Sequence, residues 1–174
     1  MQMKQILNSC DYAEYVLYLC EEENCAINNM MLQSLLYFIQ QDFLKRLDRP
    51  AFAEDFEAWS WGVVLPEVYN SYKEYGIQPI TGRNKEQYNR IASLLSGDDK
   101  YFMNSVIGVC RMYSAWDISN IIQADGTPWS IIYNNGKGNK KKIPLRLMRA
   151  ELGLTDLPSL AINQYIEYEE QYEV

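Results

Sequence analysis

Histidine is absent from this chain of 174 residues. A Cys/His zinc site and a histidine-based catalytic triad are therefore excluded. The four cysteines stand at positions 10, 20, 25 and 110 and contain no C-x-x-C pair, so they are expected to be reduced thiols that lie mostly in the core. The sequence predicts neither a bound metal nor another cofactor.

Long apolar runs are missing too. Charged or amide residues interrupt every apolar segment well before the ~20 residues that a membrane span requires. The start of the chain, MQMKQILNSCDYAEYVLYL, lacks the charged region and continuous apolar run of a secretory signal. No repeat and no linker divides the chain. The sequence thus predicts one cytoplasmic domain over residues 1–174, with no membrane partner.

Acidic residues outnumber basic ones by 23 to 16, which gives a net charge of −7 and argues against nucleic acid as the main partner. The charge is unevenly spread, because residues 137–149 contain no acid and residues 167–173 contain four glutamates. The simplest interpretation of the basic run is a solvated face, and the alternative is a patch that binds nucleic acid. Its members are Lys137, Lys140, Lys141, Lys142, Arg146 and Arg149.

Apolar residues recur at helical spacing along most of the chain and predict a mainly α fold of about eight helices. The first helix covers residues 9–22 after a cap at Asn8 or Ser9, and the longest begins at Asn28 or Asn29. A last, acidic helix is predicted over residues 158–172. Between these lie helices that start near Pro66, Asn84, Asp98 or Asp99, Ser114, Thr127 and Pro144.

Two further expectations concern surfaces. The sequence NNGKGNKKK, residues 134–142, predicts a mobile and exposed loop, because it has no apolar residue and contains two glycines. Tyr12, Tyr15 and Tyr18 are expected to be partly exposed, because the apolar stripe of the first helix lies elsewhere.

Aromatic residues concentrate between residues 52 and 79. Alternation over residues 55–61 predicts a small strand near Trp59, with Phe56 and Ala58 on one side. Gly62 is then expected to be a hinge, and Pro66 suits the first position of a helix. Large aromatic side chains anchor many protein interfaces, although in a helical domain most of them fill the core.

Signs of catalysis are few. The carboxylates Glu54, Asp55 and Glu57 lie close together in sequence and could serve an acid/base pair or a divalent ion, but the simpler interpretation is a solvated strand edge. The Gly-x-Gly of residues 136–138 lacks the spacing of a phosphate-binding loop. The sequence therefore predicts a protein that is not an enzyme, with an uncharacterised activity as the alternative.

Three motifs, in their order and spacing, resemble the Panacea domain family, also described as SocA-like or GepA-like phage-associated proteins. They are LLYF, AWSWGVVLPEVY and, far downstream, PW, and the similarity covers roughly residues 28–152. The first helix and the acidic last helix flank this region. The matching residues are Leu35, Leu36, Tyr37, Phe38, Ala58, Trp59, Gly62, Val64, Pro66, Val68, Tyr69, Pro128 and Trp129.

The resemblance implies an antitoxin, often encoded in a prophage, that neutralises a cognate protein toxin by direct binding. The chain departs from the family pattern at Val63, where the family has proline, and at Ile122 and Gln123, where it has Thr-His. No histidine-dependent activity can be carried over, and this corner is expected to serve packing or contact. The motif is either the toxin-facing surface or a buried brace behind it. Its candidate residues are Trp59, Trp61, Gly62, Pro66, Tyr69, Tyr72, Gln123, Pro128 and Trp129.

Overall fold

A computed structural model describes residues 6–150 of the chain. The described residues form eight α-helices and a small sheet, which confirms the predicted mainly α fold. The predicted helix over 158–172 lies outside the described residues. The elements are α1 (Ser9–Glu22), α2 (Asn29–Arg46), β1 (Glu57–Trp59), β2 (Gly62–Val64), α3 (Pro66–Tyr72), α4 (Lys85–Leu94), α5 (Gly97–Cys110), α6 (Ala115–Gln123), α7 (Pro128–Tyr133), β3 (Lys141–Lys142) and α8 (Leu145–Ala150). Within residues 6–150, no helix is long and apolar enough to cross a bilayer.

Helix α2 is the centre of the fold. It contacts α1, α3, α5, α6, α8 and β2. The Asn28 side chain caps its start by accepting a hydrogen bond from the Met31 N–H at 3.0 Å. Leu32, Leu36, Ile39 and Phe43, spaced by three and four residues, are completely buried. Because neighbours surround this helix, its polar positions are buried as well.

Four amide side chains of α2 lie in the core: Asn29, Gln33, Gln40 and Gln41. Gln40 accepts a hydrogen bond from the Ala51 N–H at 2.7 Å and donates one to the Phe52 carbonyl at 3.0 Å. Gln41 donates to the Met148 carbonyl at 3.1 Å. A buried amide is costly when unpaired, so these bonds fix the chain after α2 and the helix α8 against the core.

Gln33 and Asn29 hold the segment between β2 and α3. The Leu65 N–H donates to Gln33 Oε1 at 2.8 Å, and Gln33 Nε2 donates to Asn29 Oδ1 at 3.0 Å. Asn29 Nδ2 in turn donates to the Tyr69 carbonyl at 3.1 Å. This chain of three bonds, the amide relay, connects α2 to the entry and the body of α3.

The strand near Trp59 is part of a hairpin. β1 and β2 pair antiparallel, with Trp59 opposite Gly62 and only Ser60 and Trp61 between them. The predicted hinge at Gly62 is therefore wrong, because this residue begins the second strand. Its φ of 141° lies in a region that favours glycine, which explains why a tight connection is possible here.

The predicted loop over residues 134–142 is wrong at its end, where Lys141 and Lys142 form β3. This strand pairs antiparallel with β1, and the sheet order is β2-β1-β3. The Lys140 N–H also donates to the Ala58 carbonyl at 2.7 Å. Backbone hydrogen bonds hold this segment without apolar side chains, so hydropathy could not show it.

The tyrosines of α1 are buried rather than partly exposed. Tyr12, Tyr15 and Tyr18 are only 3%, 1% and 9% exposed. The Tyr12 ring packs edge-on against Phe43, and the other two rings stack on Tyr88 of α4. The prediction fails because α2 covers Tyr12 and α4 covers Tyr15 and Tyr18, on sides of α1 that its own apolar stripe does not mark.

The predictions for the cap of α5 and for the burial of the cysteines are only partly confirmed. Helix α5 is capped by Ser96, which forms a capping box with Asp99, and not by Asp98 or Asp99. Of the four thiols, Cys20 and Cys110 are buried, and burial raises the pKa of Cys20 to about 11. Cys10 is half-buried and Cys25 is exposed, so only two of the thiols belong to the core.

We expect Gln33→Met to lower the free energy of unfolding by about 1–3 kcal/mol, because the substitution leaves the buried Leu65 N–H and the Asn29 oxygen without partners. Urea denaturation measures the change. Gln87→Met is the matched control, since Gln87 is half-buried on α4 and its side chain accepts only a 3.3 Å bond from Arg90. Equal stability of the two variants would contradict the role given to the amide relay.

The buried Gly138 and the exposed Gly108 should respond oppositely to substitution by alanine. A Cβ at Gly138 would lie 1.7 Å from the Ile132 carbonyl oxygen, whereas one at Gly108, inside α5, would meet nothing within 4 Å. Gly138→Ala should destabilise the protein by about 1–3 kcal/mol, and Gly108→Ala should stabilise it by about 0.5–1 kcal/mol. Thermal or urea unfolding of both variants tests whether the turn before β3 requires glycine at position 138. A Gly138→Ala variant as stable as the wild type would contradict this requirement.

Candidate functional site

Three aromatic rings meet on the hairpin and α3. The Trp59 ring lies 5.8 Å from Trp61 and 5.2 Å from Tyr69, and Trp61 lies 5.7 Å from Tyr69, measured between ring centroids. All three side chains are half-buried. The indole N–H of Trp59 donates to Glu57 Oε2 at 2.8 Å. The sequence placed these rings in one motif, and the structure brings them into contact.

Trp129 of α7 contacts this cluster through the backbone of Trp59. Its indole N–H donates to the Trp59 carbonyl at 2.8 Å, its ring stacks on Tyr133, and it is only 8% exposed. Pro128 is the first residue of α7, and the Thr127 side chain caps that helix. Lys140 places its ammonium 4.9 Å from the centroid of the Trp59 ring. These contacts tie α7 and Lys140 to the end of β1.

Trp61 has a different setting, because it lines a cleft of about 60 Å³ between the hairpin, the start of α2 and one face of α6. The walls include Met30, Met31, Val63 and Ala115, and no charged side chain of the described residues lines them. Met30 is 46% exposed at the rim. We call this feature the Trp61 cleft.

Gln123 fixes the floor of the Trp61 cleft. Its Nε2 donates to the Trp61 carbonyl at 3.1 Å and to Ser119 Oγ at 2.7 Å, so the amide ties the hairpin turn to α6. Ile122 beside it is 3% exposed. Where the family has Thr-His, this chain thus has a packing residue and a structural hydrogen bond. A Cβ at Gly62 would only touch Gln123, at 3.9 Å, so the backbone conformation rather than space favours glycine there.

Tyr72 lies apart from the tryptophans. Its hydroxyl donates to Glu14 Oε1 at 2.5 Å, and the same oxygen accepts a 3.0 Å bond from Arg83. Burial, followed by the bond to Glu14, raises the Tyr72 pKa. This residue therefore joins α3 to α1. Pro66, the other candidate on α3, occupies the first position of that helix.

The sequence alone did not name most residues of the Trp61 cleft as site residues: Asn28, Met30, Met31, Ser34, Val63, Ala115 and Ser119. An available signal was the pair Met30-Met31, which extends the apolar residues of α2 beyond its core-facing stripe. The position of α6 beside the hairpin could not be read from spacing.

The clustered carboxylates each have a structural partner. Glu54 accepts a hydrogen bond from the Ser9 N–H at 3.2 Å, and Asp55 pairs with Lys142 at 3.1 Å. Glu57 accepts the Trp59 indole bond described above. Among residues 6–150, no group of three or more cysteine, aspartate and glutamate side chains is placed to hold a metal ion.

The basic residues of the 137–149 segment are all exposed. Three of them contact other parts of the protein. Lys142 pairs with Asp55, Arg149 pairs with Asp48, and Lys140 lies over Trp59. The structure therefore presents this segment at the surface, partly neutralised by neighbouring acids.

Comparison with known proteins bears on the same region. The family described as "Antitoxin SocA-like, Panacea domain" matches residues 32–130, inside the range that the motifs indicated. Antitoxin SocA of Caulobacter vibrioides (strain NA1000 / CB15N) is 32% identical over 127 residues, which cover 70% of this chain and 67% of that protein. No solved structure matches the chain. The matched residues hold most of α2, the hairpin and Trp129, and on these findings the chain belongs to the Panacea-domain family of SocA-like antitoxins.

Proposed function

We propose that this protein neutralises a cognate protein toxin by binding it directly, and that the Trp61 cleft is the centre of the contact. Membership of the antitoxin family supports the class of function. The observation that carries the surface assignment is an uncharged cleft lined by a half-buried tryptophan and by Met30, which is 46% exposed. We further propose a cytoplasmic protein encoded with its toxin by a phage or prophage.

The chemistry of the Trp61 cleft suits a protein partner. Tryptophan and methionine are enriched at protein interfaces, and the residues that dominate binding energy sit in pockets surrounded by weaker contacts. Because the cleft has no charged lining, it fits an uncharged, apolar side chain of the toxin. Gln123 already holds the Trp61 backbone, so the hairpin turn loses little backbone freedom on binding.

Neutralising a toxin by binding it requires no chemical reaction and therefore no catalytic residues. Trp59 and Trp129 would then keep the hairpin in place without touching the toxin, and the carboxylates Glu54, Asp55 and Glu57 would stabilise the fold through their present partners. The protein would act as a stoichiometric inhibitor and not as an enzyme.

The alternative role in nucleic-acid binding rests on the 137–149 segment. Lys137, Lys140, Lys141 and Arg146 have no ion-pair partner among residues 6–150, although Lys140 lies over the Trp59 ring. Because phosphate binding grows with the number of cations that release counterions, these four groups on a chain of net charge −7 favour the toxin over nucleic acid.

We expect Trp61→Ala to weaken binding to the toxin encoded beside this gene by ~2 kcal/mol or more, about 30-fold in Kd. Titration calorimetry measures the affinity, and growth on co-expression measures neutralisation. Tyr101→Ala is the matched control, because Tyr101 is an aromatic residue on α5 that is 67% exposed and outside the Trp61 cleft. Circular dichroism should show both variants folded.

Three results would count against the proposal. Wild-type protein that neither binds the neighbouring gene's product nor rescues growth would remove the function. A folded Trp61→Ala variant with unchanged affinity would remove the surface assignment and leave the function standing. A Tyr101→Ala variant that loses as much affinity as Trp61→Ala would also remove the surface assignment.

A further inference from the structure

Two of the four cysteines meet at the turn that ends α1. The Cys25 N–H donates to the Cys20 carbonyl at 2.8 Å, and the Asn24 N–H donates to the Glu21 carbonyl at 3.0 Å. Asn24 has a φ of 55°, in the left-handed region. These features define a Schellman motif, in which the side chains at the positions of Cys20 and Cys25 commonly contact each other. We call residues 20–25 the thiol turn.

The backbone hydrogen bond also limits how far apart the two cysteines can lie. With the Cys25 nitrogen 2.8 Å from the Cys20 oxygen, ordinary bond lengths keep their Cα atoms within about 6.7 Å of each other. Disulfides span Cα–Cα distances of about 4.4–6.8 Å. The thiol turn therefore holds Cys20 and Cys25 within the range of a disulfide while the end of α1 keeps its hydrogen bonds.

The two thiols of the turn differ in exposure. Cys25 is exposed, so a reagent in solution can reach it, whereas Cys20 is only 2% exposed. Burial raises the pKa of the Cys20 thiol to about 11, and the Arg111 guanidinium opposes part of this increase. An ion pair with Glu23 holds Arg111 at the turn. Cysteines that sense oxidants are accessible and often lie beside a second thiol that reacts with the oxidised form.

The other two cysteines are less suited to this chemistry. Cys10 is half-buried near the start of α1, ten residues before Cys20, which corresponds to about 15 Å along the helix. Cys110 is only 3% exposed, and burial raises its pKa, so little of it is the reactive thiolate. Cys25 is therefore the thiol that an oxidant reaches first, and Cys20 is its nearest partner in the backbone.

From these observations we propose that the thiol turn is a redox site, at which a peroxide joins Cys20 and Cys25 in a disulfide. The Cys25 thiolate attacks one oxygen of hydrogen peroxide, the O–O bond breaks, and hydroxide leaves a sulfenic acid on Cys25. The Cys20 sulfur then attacks the Cys25 sulfur, the S–O bond breaks, and the released hydroxide takes up the Cys20 proton as water. Two thiols and one peroxide thus give one disulfide and two waters.

A disulfide at the thiol turn would be reversible. In the reducing cytoplasm proposed above for this protein, such bonds are usually transient and serve redox sensing. The expected resting state is therefore the pair of thiols that the structure contains.

Peroxide treatment of the full chain tests the proposal when the remaining thiols are then alkylated and the protein is cleaved after glutamate. Glu21, Glu22 and Glu23 lie between the two cysteines, so a disulfide leaves the peptides of Cys20 and Cys25 joined in the mass spectrum. We expect this link to be the main disulfide and to form within one molecule. Links mainly from Cys10 or Cys110, links only between molecules, or overoxidation without any disulfide would overturn the proposal.

Cys25→Ser should abolish the disulfide, because it removes the exposed thiol of the turn. Cys10→Ser is the matched control, since Cys10 also lies on the α1 segment but outside the turn, and it should give the wild-type yield. Circular dichroism should show both variants folded. A Cys10→Ser variant that loses the disulfide as completely as Cys25→Ser would contradict the assignment to the thiol turn.

Equilibration with reduced and oxidised glutathione separates the effect of the turn from mere closeness in sequence. Cysteines five positions apart also pair in an unfolded chain. Because the thiol turn holds them in range, we expect the equilibrium constant for the disulfide to be several-fold larger in the folded protein than in concentrated urea. A constant no larger in the folded protein would overturn the proposal. Toxin binding enters none of these measurements, so that proposal stands or fails separately.

Discussion

The hydrogen bond from the Leu65 N–H to the buried Gln33 oxygen is the constraint on which the candidate site depends. Leu65 stands between β2 and α3, and its own side chain cannot cap the helix that follows. The amide relay therefore sets where the hairpin ends and where α3 begins. The buried Gln33 amide tolerates few other arrangements of the chain around it. Leaving a buried amide unpaired destabilises the fold by more than a correctly formed hydrogen bond stabilises it.

Two further side chains of the motif, Trp129 and Gln123, form hydrogen bonds with the backbone of the hairpin. Trp129 bonds to the Trp59 backbone, and Gln123 bonds to the Trp61 backbone, so α7 holds the end of β1 and α6 holds the connection between the strands. We propose that the two interpretations of the motif, brace and surface, apply to different residues. In this proposal Trp59 and Trp129 hold the hairpin in place, and Trp61, which lines the cleft, contacts the toxin.

Local features could be predicted from the sequence, and contacts between distant segments could not. The first helix was expected over residues 9–22 and is observed over that range, because its Asn8 cap and its apolar spacing are local signals. β3 was missed, since it is defined by pairing with β1 some 80 residues earlier. Burial of Tyr15 and Tyr18 was missed because it depends on α4.

In the candidate site, too, local features could be predicted and contacts between distant segments could not. Repeated aromatic residues and the family motif indicated Trp59, Trp61, Tyr69 and Trp129, but spacing could not show that Tyr72 faces α1. Nor could it show that Met30 and Ala115, which lie on α2 and α6, meet at one cleft. Those placements follow from how α6 packs against α2 and β2, which involves residues far apart in sequence.

The central claim is that the toxin covers the Trp61 cleft. Hydrogen–deuterium exchange of the full chain, alone and with the protein encoded beside it, locates the contact without altering any residue. The account predicts slower exchange on complex formation in residues 28–34, 60–64 and 115–123, which form the walls of the cleft. A complex that slows exchange only elsewhere, with these three segments unchanged, would contradict it.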